Sequence, residues 1–152
     1  MIRTLDFNAF SAGTIIDDEY ADLGVTVSAS GGSGDAMIFD SANPTGGDSD
    51  LASDTLEGLL IVSEDGDQSD PDDNAGGGSL FFDFDDMVRM KGVTFKDIEE
   101  TSGEGTRVIF YDDNGDVIQN HYVQPTGDGG ERFVQFNIDG VSRFEVRFEG
   151  SG

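Results

Sequence analysis

Short runs of alternating apolar and polar residues recur along this chain, and a period of two marks a strand with one face buried. Near the C-terminus, RFEVRFE sets Phe144, Val146 and Phe148 on one side and Arg143, Glu145, Arg147 and Glu149 on the other. RVIFY turns Val108 and Phe110 inward, FVQFNI does so with Val134, Phe136 and Ile138, and LFFDF with Leu80, Phe82 and Phe84. Further strands are expected at RTLDF, TVSA, AMIFD, GLLIVSE, GVTFKDI and VIQNHYV. Turn chemistry separates them. DDNGD at 112–116 reads as a hairpin between RVIFY and VIQNHYV, because Asn and Gly tolerate positive φ. TGDGG at 126–130 and IDG at 138–140 read as the next two connections. No stretch of about a dozen residues shows a capped 3.6-residue apolar stripe, apart from a short turn around IIDDEYADLG. The pattern predicts an all-β chain, an antiparallel β-sandwich of jelly-roll-like kind, forming one domain over 1–152.

Composition supports a folded chain and changes the view of its partners. Hydrophobic residues make up 36% of the 152 residues and Phe occurs 12 times, too much buried-type surface for a disordered protein. The net charge of −24 repels phosphate backbones and anionic lipid, so nucleic acid is not an expected partner. No apolar run approaches the ~20 residues of a membrane-spanning helix, so membrane insertion is not expected either. MIRTLDFNAF lacks the apolar core and cleavage site of a signal peptide, and the chain reads as soluble. Export as part of a longer protein, or by a route without an N-terminal signal, stays open.

The acids are not evenly spread. EDGDQSDPDDN at 64–74 holds no Lys or Arg, and such a run is either a solvated loop or a cradle for a cation. Asp65, Asp67, Asp70, Asp72, Asp73 and Asn74 offer the oxygens that calcium prefers, and the loop sits between two apolar strands. It is not an EF-hand: with Asp65, Asp67 and Ser69 in the first three ligand places, the position that requires a bidentate Glu falls on Gly76. A second loop, FDSANPTGGDSD, brings Asp40, Asn43, Asp48 and Asp50. It either completes the same site, forms its own, or is an Asx-turn loop started by Asn43-Pro44. DDNGD needs its acids for the hairpin alone. An acidic, Lys-poor surface also suits high salt, though acids gathered in two loops fit the cation reading better.

Catalysis finds little in the sequence. His121 is the one histidine and there is no cysteine, so nucleophile–base pairs reduce to Ser with that imidazole, and zinc lacks its usual ligands. With 32 acids, candidate carboxylate pairs for glycoside hydrolysis are too abundant to carry information. Sugar binding lacks Trp as a stacking platform, leaving Tyr111 and Tyr122 as ligand-binding candidates that flank one hairpin and share a face. A cross-strand aromatic pair accounts for them equally well.

AMIFDSANPTGGDSDL, LLIVSEDGDQSDPDDNAGGGSLFFDFDD and VSRFEVRFEGSG together resemble a β-sandwich domain of large secreted bacterial proteins. Related domains occur among calcium-binding adhesins of the RTX (repeats-in-toxin) type and in anchored surface proteins. The resemblance implies an extracellular or cell-surface setting, calcium as cofactor, and a binding or scaffolding role with glycan or matrix as partner. It names no catalytic residue. The loop between DLAS and GLLIVSED is shorter than in similar domains, and FEGSG stands where those run on into another apolar strand. A sheet edge left open there would pair with a further chain. The alternative expectation is therefore a self-associating subunit of an extracellular filament or surface layer.

Overall fold

A computed structural model describes residues Met1–Gly152. The architecture is all-β and antiparallel, as the alternation predicts. Seven strands follow one another: β1 (Val25–Ser30), β2 (Ala36–Asp40), β3 (Gly58–Val62), β4 (Gly78–Lys96), β5 (Arg107–Tyr111), β6 (Val117–Tyr122) and β7 (Glu131–Phe148). Two short 3-10 turns, Ala21–Leu23 and Ser49–Leu51, are the remaining regular elements, the first within the turn expected around IIDDEYADLG. No helix is long and apolar enough to cross a membrane.

Five strands form one sheet in the order β1-β4-β7-β5-β6, and β2 pairs with β3 in a second. The chain leaves the larger sheet after β1, forms the small one with β2 and β3, and returns at β4. Most of the inward sets read from the alternation are buried: Leu80, Phe82, Val108, Phe110, Ile138, Phe144 and Val146 join Val25 and Val27 of β1 in the main core, with Phe84, Val134, Phe136 and Phe148 partly buried against it. Ala36 and Ile38 of β2 and Val62 of β3 close over them. The opposite face of the small sheet makes its own cluster, in which Met37, Phe39 and Ile61 pack on Leu51.

Three expectations change. LFFDF and the GVTFK of GVTFKDI are parts of the single strand β4, and FVQFNI and the RFEVRF of RFEVRFE are parts of β7. The turn expected at 138–140 is instead an irregularity inside a continuous ladder, with Gly140 at φ 74. Register shifts between Asp83/Val88, Val88/Met90 and Met90/Gly92 bend the pair, as bulges do. The bend folds the far ends of β4 and β7 back over the core, where the Phe136 ring meets Phe110 edge-on at 5.0 Å. RTLDF forms no strand either. Phe7 takes a φ of 59, and Phe7 and Phe10 instead set their rings edge-on to Tyr20 at 5.8 and 5.5 Å.

This framework gathers connections at one place. The 41–57 connection leaves β2, the 63–77 connection leads into β4, and Lys96 at the end of β4 lies opposite Glu131 at the start of β7.

Candidate functional site

The two acidic loops are zipped together. The Asp73 backbone N–H donates to Asp48 Oδ2 at 2.9 Å, the Gly46 N–H to Asp70 Oδ1 at 2.8 Å, and the Thr45 hydroxyl to the Pro71 carbonyl at 2.7 Å. Gly46 has φ +63 and runs so close to Asp72 that any Cβ there would overlap the Asp72 Cβ. A glycine is therefore needed for both conformation and contact.

Within this clasp the candidate residues divide. Some are consumed by local turns. Asp40 accepts from the Ala42 N–H and the Asn43 side-chain amide, and the Asn43 bond holds its carboxyl below the usual range. Asp65 accepts from the Asp67 N–H. Asp67 accepts from the Ser69 hydroxyl and N–H, which lower its pKa. Asn74 donates to the Gly77 carbonyl at 2.5 Å and accepts from the Gly76 N–H. These are Asx-turn roles. The hairpin 112–116 is built likewise, with Asp112 Oδ1 accepting from the Asn114 and Asp116 N–H groups.

Others sit partly or wholly buried among like charges with no basic side chain paired to them. Asp73 is 6% exposed, and burial, with the charges of Asp48, Asp50 and Asp97 nearby, pushes its carboxyl up to about 7 despite a hydrogen bond from the Gly152 N–H. Burial also raises Asp48 and Asp72, and Asp65, Glu64, Asp48 and Asp70 all add to the shift at Asp72. Asp72 Oδ1 is buried with no hydrogen-bond partner. An orphaned carboxylate oxygen among like charges is the kind of atom a cation satisfies.

Another convergence of acids reaches beyond the two loops. Asp50, Asp97 and Asp128 each bring a carboxylate oxygen into a group whose members all lie within 4.8 Å of one another. None of the protein's ion pairs includes them. Asp97 is only 2% exposed and sits at φ 57 just past β4. Its Oδ1 accepts from the Gly129 N–H at 2.6 Å and its own N–H donates to the Gly130 carbonyl at 2.8 Å. Lys96 Nζ donates to the Gly129 carbonyl at 2.6 Å, so consecutive residues grip the TGDGG turn and hold Asp128 in place. Burial raises the Asp97 carboxyl, and the charges of Asp50, Glu99 and Asp128 push the same way. Glu131 accepts from the Ser53 and Thr55 hydroxyls, tying the Asp50 loop to β7.

Asp50 was the one member visible as a candidate in the sequence. Asp128 sat in a turn signal, and Asp97 at the end of an expected strand, FKDI, with no local mark of a ligand. A further acidic group, Asp17, Asp18 and Glu19, is exposed and contiguous in sequence.

Tyr111 and Tyr122 do share a face, the outer one of the five-stranded sheet, where Tyr122 is the cross-strand partner of Arg107. The Tyr111 hydroxyl donates to Glu145 Oε2 at 3.0 Å. His121, the cross-strand partner of Val108, lies on the inner face at the sheet's edge, half-buried with its ring edge-on to Phe136 at 5.0 Å.

No protein-family model and no curated protein matches the chain. Among solved structures, it is similar to a fucose binding module from Streptococcus pneumoniae, at 21% identity over 49% of this chain and 55% of that one, with a TM-score of 0.37. It is also similar to a mutant of the lectin binding domain of lectinolysin complexed with Lewis b, at 10% identity over 51% of this chain and 57% of that one, TM-score 0.39. The chain thus spans little more than half the length of either, a likeness too partial to bear on the chemistry of the site.

Proposed function

We propose that this chain is a non-catalytic, extracellular β-sandwich module whose acidic loop end binds calcium, and whose surface contacts glycan or matrix. The convergence of Asp50, Asp97 and Asp128 carries the reading. Calcium holds its oxygens at 2.3–2.6 Å, so ligands of one ion lie no more than about 5 Å apart, a limit within which these carboxylates fall. Magnesium draws its oxygens closer and zinc favours His and Cys, so calcium suits the donor set best. Asp50, Asp97 and Asp128 would hold the ion, which would neutralise their mutual repulsion and fasten three connections to one another. The orphaned Asp72 Oδ1 supports a second ion between the two loops.

Thermal melts in EDTA and in millimolar calcium test this. Binding to the native state alone contributes about 2.7 kcal/mol at a hundredfold excess over Kd. Asp97→Asn and Asp128→Asn are expected to lose most of the calcium-induced rise, and Asp65→Asn to keep it. An unchanged wild-type melt, with no heat of binding on titration, would end the proposal.

One observation favours a second reading, self-association at a sheet edge. β6 is an edge strand with no charged residue, and it exposes Val117, Ile118 and Tyr122. Edge strands lacking charges or proline are templates for pairing. Light scattering at rising protein concentration separates the two: a monomeric binder stays monomeric, whereas an assembling subunit grows.

A further inference from the structure

A cleft of about 330 Å³ lies where the turn before β1 meets β4, and Arg3, Asp22, Leu23, Asp85, Asp86 and Val88 line it. Its walls follow from local structure. Gly24 ends the 3-10 turn in the left-handed region at φ 73 and donates its N–H to the Ala21 carbonyl at 2.8 Å. The Gly24 carbonyl accepts from the Asp85 N–H at 3.0 Å, which ties the turn to β4 one step beyond the last β1–β4 pair, Val25 with Phe84. Arg3 Nη1 donates to the Leu23 carbonyl at 3.1 Å and so holds the arginine to the same turn. Neighbouring residues of a flat strand face opposite sides. Asp85 and Asp86 nevertheless line one cleft, because they fall in the register shift between Asp83 and Val88, where the β4–β7 ladder is irregular. Such irregularities re-aim side chains and recur beside binding sites.

The polar groups of this cleft are uncommitted. The carboxylates of Asp22, Asp85 and Asp86 have no hydrogen-bond donor within the protein and enter no ion pair. Arg3 spends one bond on Leu23 and pairs with none of the three acids, although all four residues line the same space. In the acidic loops, by contrast, Asp40, Asp65 and Asp67 serve their own turns. Nor do these carboxylates gather as those of Asp50, Asp97 and Asp128 do: neither group of acids close enough to share an ion includes them. Spread acceptors beside a donor with free N–H groups do not make a cation cradle. They match a ligand with many hydroxyls, each able to donate to a carboxylate or accept from a guanidinium.

We propose that this cleft binds the terminal ring of a neutral sugar chain, its hydroxyls donating to Asp22, Asp85 and Asp86 and accepting from Arg3. The volume falls at the small end of the roughly 300–1,000 Å³ of small-ligand sites, room for one or two rings and not for a long stretch of chain. Leu23, exposed, and Val88, packed on the main core, supply apolar surface for the C–H groups of the ring. The net charge of −24, with three acids in the cleft itself, repels sugar acids and sulfates, so the ligand is uncharged. Hydrogen bonds from hydroxyls to carboxylates are charge-assisted, which offsets the lack of an aromatic platform. The cleft rests on the reading of the chain as a glycan-contacting module and shares no residue with the calcium centre.

The test is an NMR titration in millimolar calcium with the methyl glycosides of glucose, galactose, mannose and N-acetylglucosamine, alongside methyl glucuronide and spermidine. At least one neutral glycoside is expected to shift the amide signals of Leu23, Gly24, Asp85 and Asp86, with glucuronide and spermidine leaving them in place. Asp85→Asn and Asp86→Asn should each weaken that sugar roughly tenfold, the worth of one hydrogen bond to a charged group. Both should keep the wild-type melting temperature, since neither carboxylate has a partner inside the protein. Shifts from spermidine alone would overturn the sugar site in favour of a cationic ligand. Sugar binding that persists undiminished in both variants would overturn the cleft while keeping glycan contact elsewhere on the surface. No shift from any glycoside at tens of millimolar would overturn it as well. Hits on a broad neutral-glycan array would then preserve the wider reading, and a blank array would end both.

Discussion

Asp73 and Glu145 are buried to the same degree, 6% and 4% exposed, yet their carboxyls are shifted in opposite directions. At the loop end, burial pushes Asp73 up to about 7, with further acids adding to the shift. On the sheet, burial also acts to raise Glu145, but hydrogen bonds from Arg147, Ser79 and Tyr111 outweigh it and hold the carboxyl below its usual range. Depth alone does not set the state of a buried acid; the sign of its neighbours does. One region is a satisfied network that strengthens the sheet. The other is a set of like charges with no basic partner, in which Asp73 holds its proton up to about pH 7.

The largest way to break this contrast is to remove the cation that satisfies Glu145. Arg147→Ala leaves a buried carboxylate unpaired and should cost on the order of 2 kcal/mol, the exposure of Arg147 reducing the full buried-pair penalty. In a chain of this size that is a fall of roughly 6 °C in a thermal melt. Asp73→Asn should act in the opposite sense. In EDTA at pH 8 it removes a buried charge and keeps an acceptor for the Gly152 N–H, so stability should rise by roughly 1–2 kcal/mol.

Titration sharpens the same comparison. The Asp73 carboxyl is raised on folding, so its contribution is fully present below ~3.9 and is lost as the pH rises toward about 7. Glu145 is lowered on folding, so its contribution is present above ~4.3 and is lost as the pH falls further. Without calcium, the melting temperature should therefore climb from pH 8 to about 4 and drop on further acidification. Asp73→Asn should flatten the upper limb alone, and Glu145→Gln the lower one. The smallest effect is expected at Asp40, whose carboxyl serves only its own turn: Asp40→Asn should stay within about 0.5 kcal/mol and leave any calcium response intact.

Much of the frame was legible along the chain. Period-two alternation is local, and most of each strand's inward set, from Leu80 and Phe82 to Phe144 and Val146, is buried where the pattern put it, while Phe84, Val134, Phe136 and Phe148 are only partly covered and Glu145, read as outward, is buried. The hairpin at 112–116 followed from its Asn and Gly in the same way. Local signals failed where long-range pairing overrode them. IDG at 138–140 has turn chemistry, but continuous pairing of β4 with β7 draws it into a ladder as an irregularity.

The candidate site divides along the same line. That two loops are acidic and rich in turn-forming residues is a property of the sequence, and Asp40, Asp65, Asp67 and Asn74 spend their polar atoms on that local chemistry. Which acids meet is not. Asp50, Asp97 and Asp128 belong to three separate connections, brought together because β2, β4 and β7 are held by a shared core and because Lys96 and Asp97 grip the turn that carries Asp128. A chain specifies each residue's chemistry and local geometry; convergence of distant charges is decided by burial of the apolar faces between them, which no short stretch of sequence contains.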